Sequence, residues 1–287
     1  MNKLLQLSRF LLCTDLDRTL LPNGSEPESD LARKKFRELV KQPQVTLVYV
    51  TGRHQQLVEQ AITEYQLPQA DFVIADVGST IYSISNSEWC HLECWDKIID
   101  ADWGGNDTSK IQHLLNNIKD IHLQEPSKQN KHKLSYYVPL NVDYESILVS
   151  LKNILNQHSI ATNLIWSVDQ ITKTGLLDIL PASAGKHQSI EFLKDYLDFN
   201  YSNTVFAGDS GNDICVLSSP IQSVLVANAD DEVRDAAVKQ AEANHQRHTL
   251  YLAKGDFLKM NGNYSAGILE GIAHYMPQAE DWLRGET

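Results

Sequence analysis

The segment LLCTDLDRTLL, residues 11–21, ends an apolar run in two acids, Asp15 and Asp17, separated by one leucine. Side chains two apart on a strand point to the same side, so both carboxylates can face one site with about 6 to 7 Å of backbone between them. Polar groups gather again at Thr51, Gly52 and Arg53 after VTLVYV, at Lys186 after LPASAG, and at Gly208, Asp209, Asn212 and Asp213 in GDSGND. Asp15, Asp17, Asp209 and Asp213 brought together would repel one another. An octahedral, oxygen-liganded Mg2+ completed by water and a substrate phosphate would offset that repulsion. Asp15, shielded in this way, can attack phosphorus as a nucleophile and form an aspartyl-phosphate. Asp17 can then act as general acid to the leaving alkoxide and as general base to the hydrolytic water. A phosphoryl group in transfer spreads negative charge over three oxygens, and Thr51 and Lys186 suit the task of meeting it.

Something must position these groups. The runs FLLCTD, VTLVYVTG, FVIADVG, TVFAGDSG and SVLVAN lack alternating polarity, which fits strands buried on both faces of a parallel sheet. Between them lie the helical patterns ESDLARKKFRELV, HQQLVEQAITEYQ, GKHQSIEFLKDYL and ADDEVRDAAVKQAEAN. Alternation of strand and helix predicts an α/β class with a doubly wound, Rossmann-like core. In such a sheet ligands collect at the carboxyl ends of the strands, where the polar clusters fall. The middle of the chain differs: KHKLSYYVPL and TKTGLLDIL alternate apolar with polar residues, alongside the helical runs SKIQHLLNNIKDI and YESILVSLKNILNQH. That pattern predicts a half-exposed antiparallel sheet. The expected organisation is a core of residues 1–90 and 180–287 with an α+β domain, residues 91–179, inserted into it.

A length of 287 residues fits about two domains. The formal charge of −12 argues against nucleic-acid or anionic-membrane partners, which need clustered Lys and Arg. No apolar run approaches the length of about 18 residues needed to span a bilayer. The opening MNKLLQLSRFLLCTDLD is interrupted by Arg9 and has no small-residue cleavage site before the acids, so it reads as the first core strand of a cytoplasmic protein. Cys13, Cys90, Cys94 and Cys215 lack framework spacing. CHLEC lacks a second ligand pair for zinc, and the four read as free thiols.

Other residues carry two readings. Lys133, at the start of KLSYYV, either reaches a sugar hydroxyl or phosphate or is a strand-edge lysine. Arg53 either binds substrate, the favoured reading, or pairs with an acid of the inserted domain. Asn212 sits where its amide could contact Lys186 or the phosphate. Trp89, Trp95, Trp103, Tyr136 and Tyr137 could stack on a sugar ring but more often such residues form core. His54, His91, His187 and His274 lack ligand spacing and read as surface or capping residues.

In order along the chain, DLDRT, TGR, Lys186 and GDSGND resemble the four motifs of the haloacid dehalogenase superfamily, and the resemblance covers essentially the whole chain. It implies that Asp15 is the nucleophile and that Asp17 marks a phosphotransfer enzyme. The inserted domain resembles the type IIB cap of the Cof-like branch, whose members mostly hydrolyse small phosphorylated metabolites. Within it, ADVGSTIY, HKLSYYV, GDSGND and NYSAGILEGIAHY are similar to the sucrose-phosphate phosphatases. That resemblance implies Mg2+-dependent hydrolysis of sucrose 6-phosphate, with other glycosyl-sugar phosphates such as mannosylfructose phosphate as alternatives. A phosphomutase would use the same two aspartates, and a non-catalytic sugar-phosphate sensor would retain only the fold. A transient contact with a cognate sugar-phosphate synthase is compatible with this role. No feature marks an oligomer interface, so a monomer is expected. One residue departs from the family pattern: Thr80 stands where an acid is expected near the sugar end of the site.

Overall fold

A computed structural model describes residues 9–169 and 172–284. The first eight residues of the predicted opening strand lie outside that range. The chain first forms five strands: β1 (Phe10–Thr14), β2 (Val45–Val50), β3 (Phe72–Ala75), β4 (Thr80–Ser85) and β5 (Glu88–His91). Four more follow, β6 (His122–Leu123), β7 (Leu134–Val138), β8 (Thr162–Asp169) and β9 (Thr174–Pro181). The last three are β10 (Thr204–Gly208), β11 (Gln222–Leu225) and β12 (Leu250–Leu252).

Two sheets result. The larger has the order β12-β11-β10-β1-β2-β3-β4-β5, parallel from β12 to β3 and closed by antiparallel β4 and β5. The smaller, β6-β7-β9-β8, is antiparallel throughout. A parallel-sheet α/β core with an inserted α+β cap is therefore the fold class. β1 lies near the middle of the larger sheet, between β10 and β2, so its end is flanked by the ends of both neighbours.

The strand sequences account for this burial. On β1, Phe10 and Leu12 join one apolar cluster while Leu11 and Cys13 join another, because successive side chains alternate faces. The first face is covered by α1 (Ala32–Leu39), through Phe36 and Leu39, and by the helix Ser265–Tyr275, through Ile268, Leu269 and Ile272. α2 (Gln55–Glu64) adds Val58 and Ala61 to the same side. α3 (Glu93–Ile99), which the sequence reading placed in the inserted unit, buries Trp95 and Ile99 on the second face beside Leu11, Val48 and Phe206. The smaller sheet has its own core, built from α4 (Thr108–Leu115), α5 (Tyr144–Gln157), Trp103, Tyr136, Leu177 and Ile179.

Trp95, Trp103 and Tyr136 are thus packing residues, whereas Trp89 and Tyr137 are half-buried. All four cysteines are free. His91 and His187 pair with Asp96 and Glu191, and His274 stacks on Tyr251. Among the described residues no helix is long and apolar enough to cross a membrane.

Candidate active site

Each group of interest sits just past a strand end or at a helix start. Asp15 follows β1, and its N–H donates to the Ala207 carbonyl of β10 at 2.9 Å. Thr51 follows β2 and donates its N–H to Ile74 of β3 at 2.8 Å. Asp209 follows β10, and Lys186 is the first residue of α6 (Lys186–Tyr196). Asp213 is fixed by its own turn: its Oδ2 accepts from Asp209 N–H, Ser210 N–H and Ser210 Oγ, each at 3.1 Å. Gly208 must be glycine there, since a Cβ would come within 2.6 Å of Asp213 Oδ2.

These elements bring Asp15, Asp209 and Asp213 together, with one carboxylate oxygen from each within 4.8 Å of the others. Lys186 Nζ donates to Asp15 Oδ2 and to Asp213 Oδ1, both at 2.8 Å. The second Asp15 oxygen accepts from Leu16 N–H at 2.7 Å. Burial pushes the Asp15 carboxyl well above its ordinary range despite Lys186. Burial first, and then Asp213, push Asp209 up to about 7. Desolvation works against the Lys186 ammonium, but Asp15 and Asp213 outweigh it and raise its pKa.

Three acids against one lysine leave the cluster short of positive charge. Asp209 makes the shortage visible: Oδ1 accepts from Thr19 Oγ1 at 2.8 Å, but buried Oδ2 has no hydrogen-bond donor. The nearest cationic group, Arg18 Nε, stands 3.6 Å from it. Carboxylate oxygens of this number and spacing suit a hard divalent cation such as Mg2+, so the residues present fit the ion that the sequence implied.

Asp17 is placed elsewhere. The expectation of two carboxylates on one strand face fails because β1 ends at Thr14 and the chain turns, with Arg18 at φ 57°. Asp17 instead accepts a bidentate pair from Arg53, Nη2 at 2.6 Å and Nε at 2.8 Å, and a third bond from Asn23 Nδ2 at 2.7 Å. Its side chain is therefore not among the clustered ligands. Burial would raise its pKa, but Arg53 and Asn23 together hold it below the usual carboxylate range. Arg53, expected on substrate, is thus committed to an acid of the core. Thr51 is fully buried, and its Oγ1 accepts from Arg53 N–H at 3.1 Å while its own hydroxyl hydrogen stays available.

The remaining candidates are spread out. Gly52 is exposed, and a Cβ there would approach only Val77, at 3.7 Å. Asn212 accepts from Ser210 Oγ at 3.0 Å, and the ammonium bonds of Lys186 go to the two acids. Lys133 is no solvated edge residue: its Nζ lies 2.8 Å from Asp76 Oδ1 with both side chains buried. Thr80 is buried beside the same acid, its Oγ1 3.5 Å from Asp76 Oδ2.

Sequence reasoning missed Arg18, Asn23 and Asp76. Arg18 joins Asp209 to Asp230, whose carboxylate it meets at 3.1 and 3.2 Å, and Asn23 holds both Asp17 and the Arg18 N–H. No local signal announces contacts between residues 18 and 230.

Parallel sheet, inserted cap, buried acid triad and lysine define a haloacid dehalogenase-type phosphoric monoester hydrolase. The chain belongs to the family of sucrose-6F-phosphate phosphohydrolases, which residues 8–276 match. A Nitrosococcus oceani protein named "Putative HAD-like hydrolase" is 48% identical over 275 residues, covering 96% of this chain and 74% of the relative. Sucrose-phosphatase 2 of Nicotiana tabacum is 26% identical over 279 residues, and this chain spans 61% of that enzyme's length. Among solved structures, the sucrose-phosphatase of Synechocystis, determined with sucrose and phosphate, superposes with a TM-score of 0.75 at 23% identity, covering 94% of this chain and 98% of the other.

Proposed function

We propose that this protein is a Mg2+-dependent phosphatase that hydrolyses sucrose 6-phosphate to sucrose and phosphate in the cytoplasm. The observation that carries the chemistry is the buried Asp15 carboxylate, 2.8 Å from Lys186, beside an Asp209 oxygen with no donor. Asp15 attacks phosphorus, the P–O bond to the sugar breaks, and an aspartyl-phosphate forms. Asp17, once out of the fork and protonated from solvent, gives that proton to the departing sugar oxygen, then takes one from the water that attacks the aspartyl-phosphate and regenerates Asp15. To do so it must leave the Arg53 fork, so the geometry described is a resting arrangement. Lys186 and the Thr51 hydroxyl hold the phosphoryl oxygens. The cation would be held by Asp15, Asp209 and Asp213, and would supply neutralisation of charge on the phosphoryl group.

The sugar assignment rests on family membership. Thr80, in place of the acid expected there, favours keeping a second glycosyl-sugar phosphate, mannosylfructose phosphate, as the other substrate to test. The experiment is phosphate release with Mg2+ from sucrose 6-phosphate, mannosylfructose phosphate, fructose 6-phosphate and glucose 6-phosphate, with product analysis. A preference for sucrose 6-phosphate supports the proposal. Release only from another ester moves the substrate, an isomerised sugar phosphate without release indicates a mutase, and binding without turnover indicates a sensor.

A further inference from the structure

The turn between β3 and β4 holds three consecutive residues in the left-handed region: Asp76 at φ 52°, Val77 at 60° and Gly78 at 93°. For a β-branched residue such as Val77 this is a real outlier, and such strain persists only where the surroundings over-determine it. Here the surroundings are the phosphate-site loops themselves. Asp76 N–H donates to the Arg53 carbonyl and Val77 N–H to the Thr51 carbonyl, each at 3.0 Å. Gly78 packs so closely on the start of α6 that a Cβ would stand 2.3 Å from the Gly185 carbonyl and 2.8 Å from Lys186 N. The turn therefore touches the loops carrying both Thr51 and Lys186.

A second set of contacts reaches the same turn from the smaller-sheet unit. Lys133, the residue before β7, places Nζ 2.8 Å from Asp76 Oδ1, with the two side chains only 5% and 7% exposed. Asn130 Nδ2 donates to Ser79 Oγ at 3.0 Å and to Thr80 Oγ1 at 3.3 Å. Mutual Asn130–Lys133 backbone bonds of 3.2 and 3.3 Å tie these two contacts into one loop.

We propose that the Lys133–Asp76 pair is a latch: seating of the cap on the core is passed through Asp76–Gly78 to Thr51 and Lys186, so that the phosphate site is set only when the cap is seated. Lys133 and Asp76 are positioning residues in this scheme, and their effect on turnover rests on the phosphatase reading. A strained turn bonded on one side to two catalytic loops and on the other to the cap is the physical element that such coupling needs.

The test has two arms. In the first, Lys133→Met, Asp76→Asn and the double variant are assayed with Mg2+ on p-nitrophenyl phosphate and on sucrose 6-phosphate. A latch lowers kcat about tenfold on both esters with little change in KM, and the double variant is no worse than the poorer single one. A raised KM for sucrose 6-phosphate alone, with p-nitrophenyl phosphate untouched, would mean that Lys133 binds sugar and would overturn the proposal. Should either variant fold poorly, Asn130→Ala gives the same signature with smaller amplitude. The second arm needs no turnover: amide hydrogen exchange is compared between wild type and Lys133→Met. Faster exchange over residues 51–54, 76–79 and 185–188 supports coupling, whereas a change confined to residues 129–135 refutes it. Absence of turnover in the wild type would defeat the phosphatase reading while the exchange arm still decides the latch.

Discussion

Lys186 and Lys133 are both almost inaccessible, with side chains 2% and 5% exposed, and each meets a carboxylate at 2.8 Å. Their surroundings differ in charge balance. Lys186 faces Asp15, Asp209 and Asp213, one of which keeps a buried oxygen without a donor. Lys133 faces Asp76 alone at ion-pair distance, and the nearby Asp178 carboxyl is raised by burial, toward the neutral form. A buried pair that balances has finished its electrostatics and serves as a join. A buried cluster with three carboxyls to one lysine holds protons that a cation would displace, and that separates a site of chemistry from a site of assembly.

The sharpest way to break this comparison is at Asp15. Asp15→Asn keeps the shape and removes the carboxylate proposed to attack phosphorus, so phosphate release should fall by about a thousandfold or more. Retention of a tenth of the activity would place the nucleophile elsewhere. Next come the two lysines themselves. Removing one partner of a buried pair costs about 3–5 kcal/mol, so Lys186→Met and Lys133→Met should both lower the urea midpoint in metal-free buffer. Millimolar Mg2+ should restore much of the loss at Lys186 and none at Lys133. Equal restoration, or none in either, would erase the distinction.

The pH dependence of stability sharpens the contrast further. Asp209 is raised from the ordinary 3.8 to about 7, so between those values the folded protein keeps a proton that the unfolded chain has released. Its contribution to metal-free stability should therefore fall as pH rises from about 4 to about 7 and level off above. Asp209→Asn should flatten that slope in urea titrations with chelator. The smallest effect is expected at Arg53. Arg53→Lys keeps the charge and loses the bidentate fork on Asp17, which should alter kcat by about tenfold or less while leaving phosphate binding to Lys186 intact. A change confined to KM would return Arg53 to the substrate.

Much of this was legible in the sequence. Strands buried on both faces must be apolar throughout, so β1, β2, β3, β10 and β11 stand out as runs. β12 is three residues long, and β4 and β5 extend the sheet as antiparallel strands whose places are set by their partners, not by their own pattern. Asp15, Lys186, Asp209 and Asp213 stand out in the sequence because strand ends and helix starts fix their positions, and the structure brings these four side chains together. Asp17 was misplaced because alternation holds only while a strand lasts, and β1 stops three residues earlier. The pairing of Lys133 with Asp76 joins residues 57 positions apart, one just before β7 and the other just after β3, and Asp76 carries no mark of it in the sequence.

The place of β1 also bears on the order in which the molecule can be made. Leu11 registers with Thr204, so the central strand lacks one of its two neighbours until β10 has been made. The smaller sheet needs only residues 122–181, a contiguous stretch with mostly local pairings. During synthesis the cap can therefore fold first, while the first strand of the core waits on the ribosome for β10. Asp15 is therefore made long before Lys186, Asp209 and Asp213, and the cluster can assemble only after β10 has emerged.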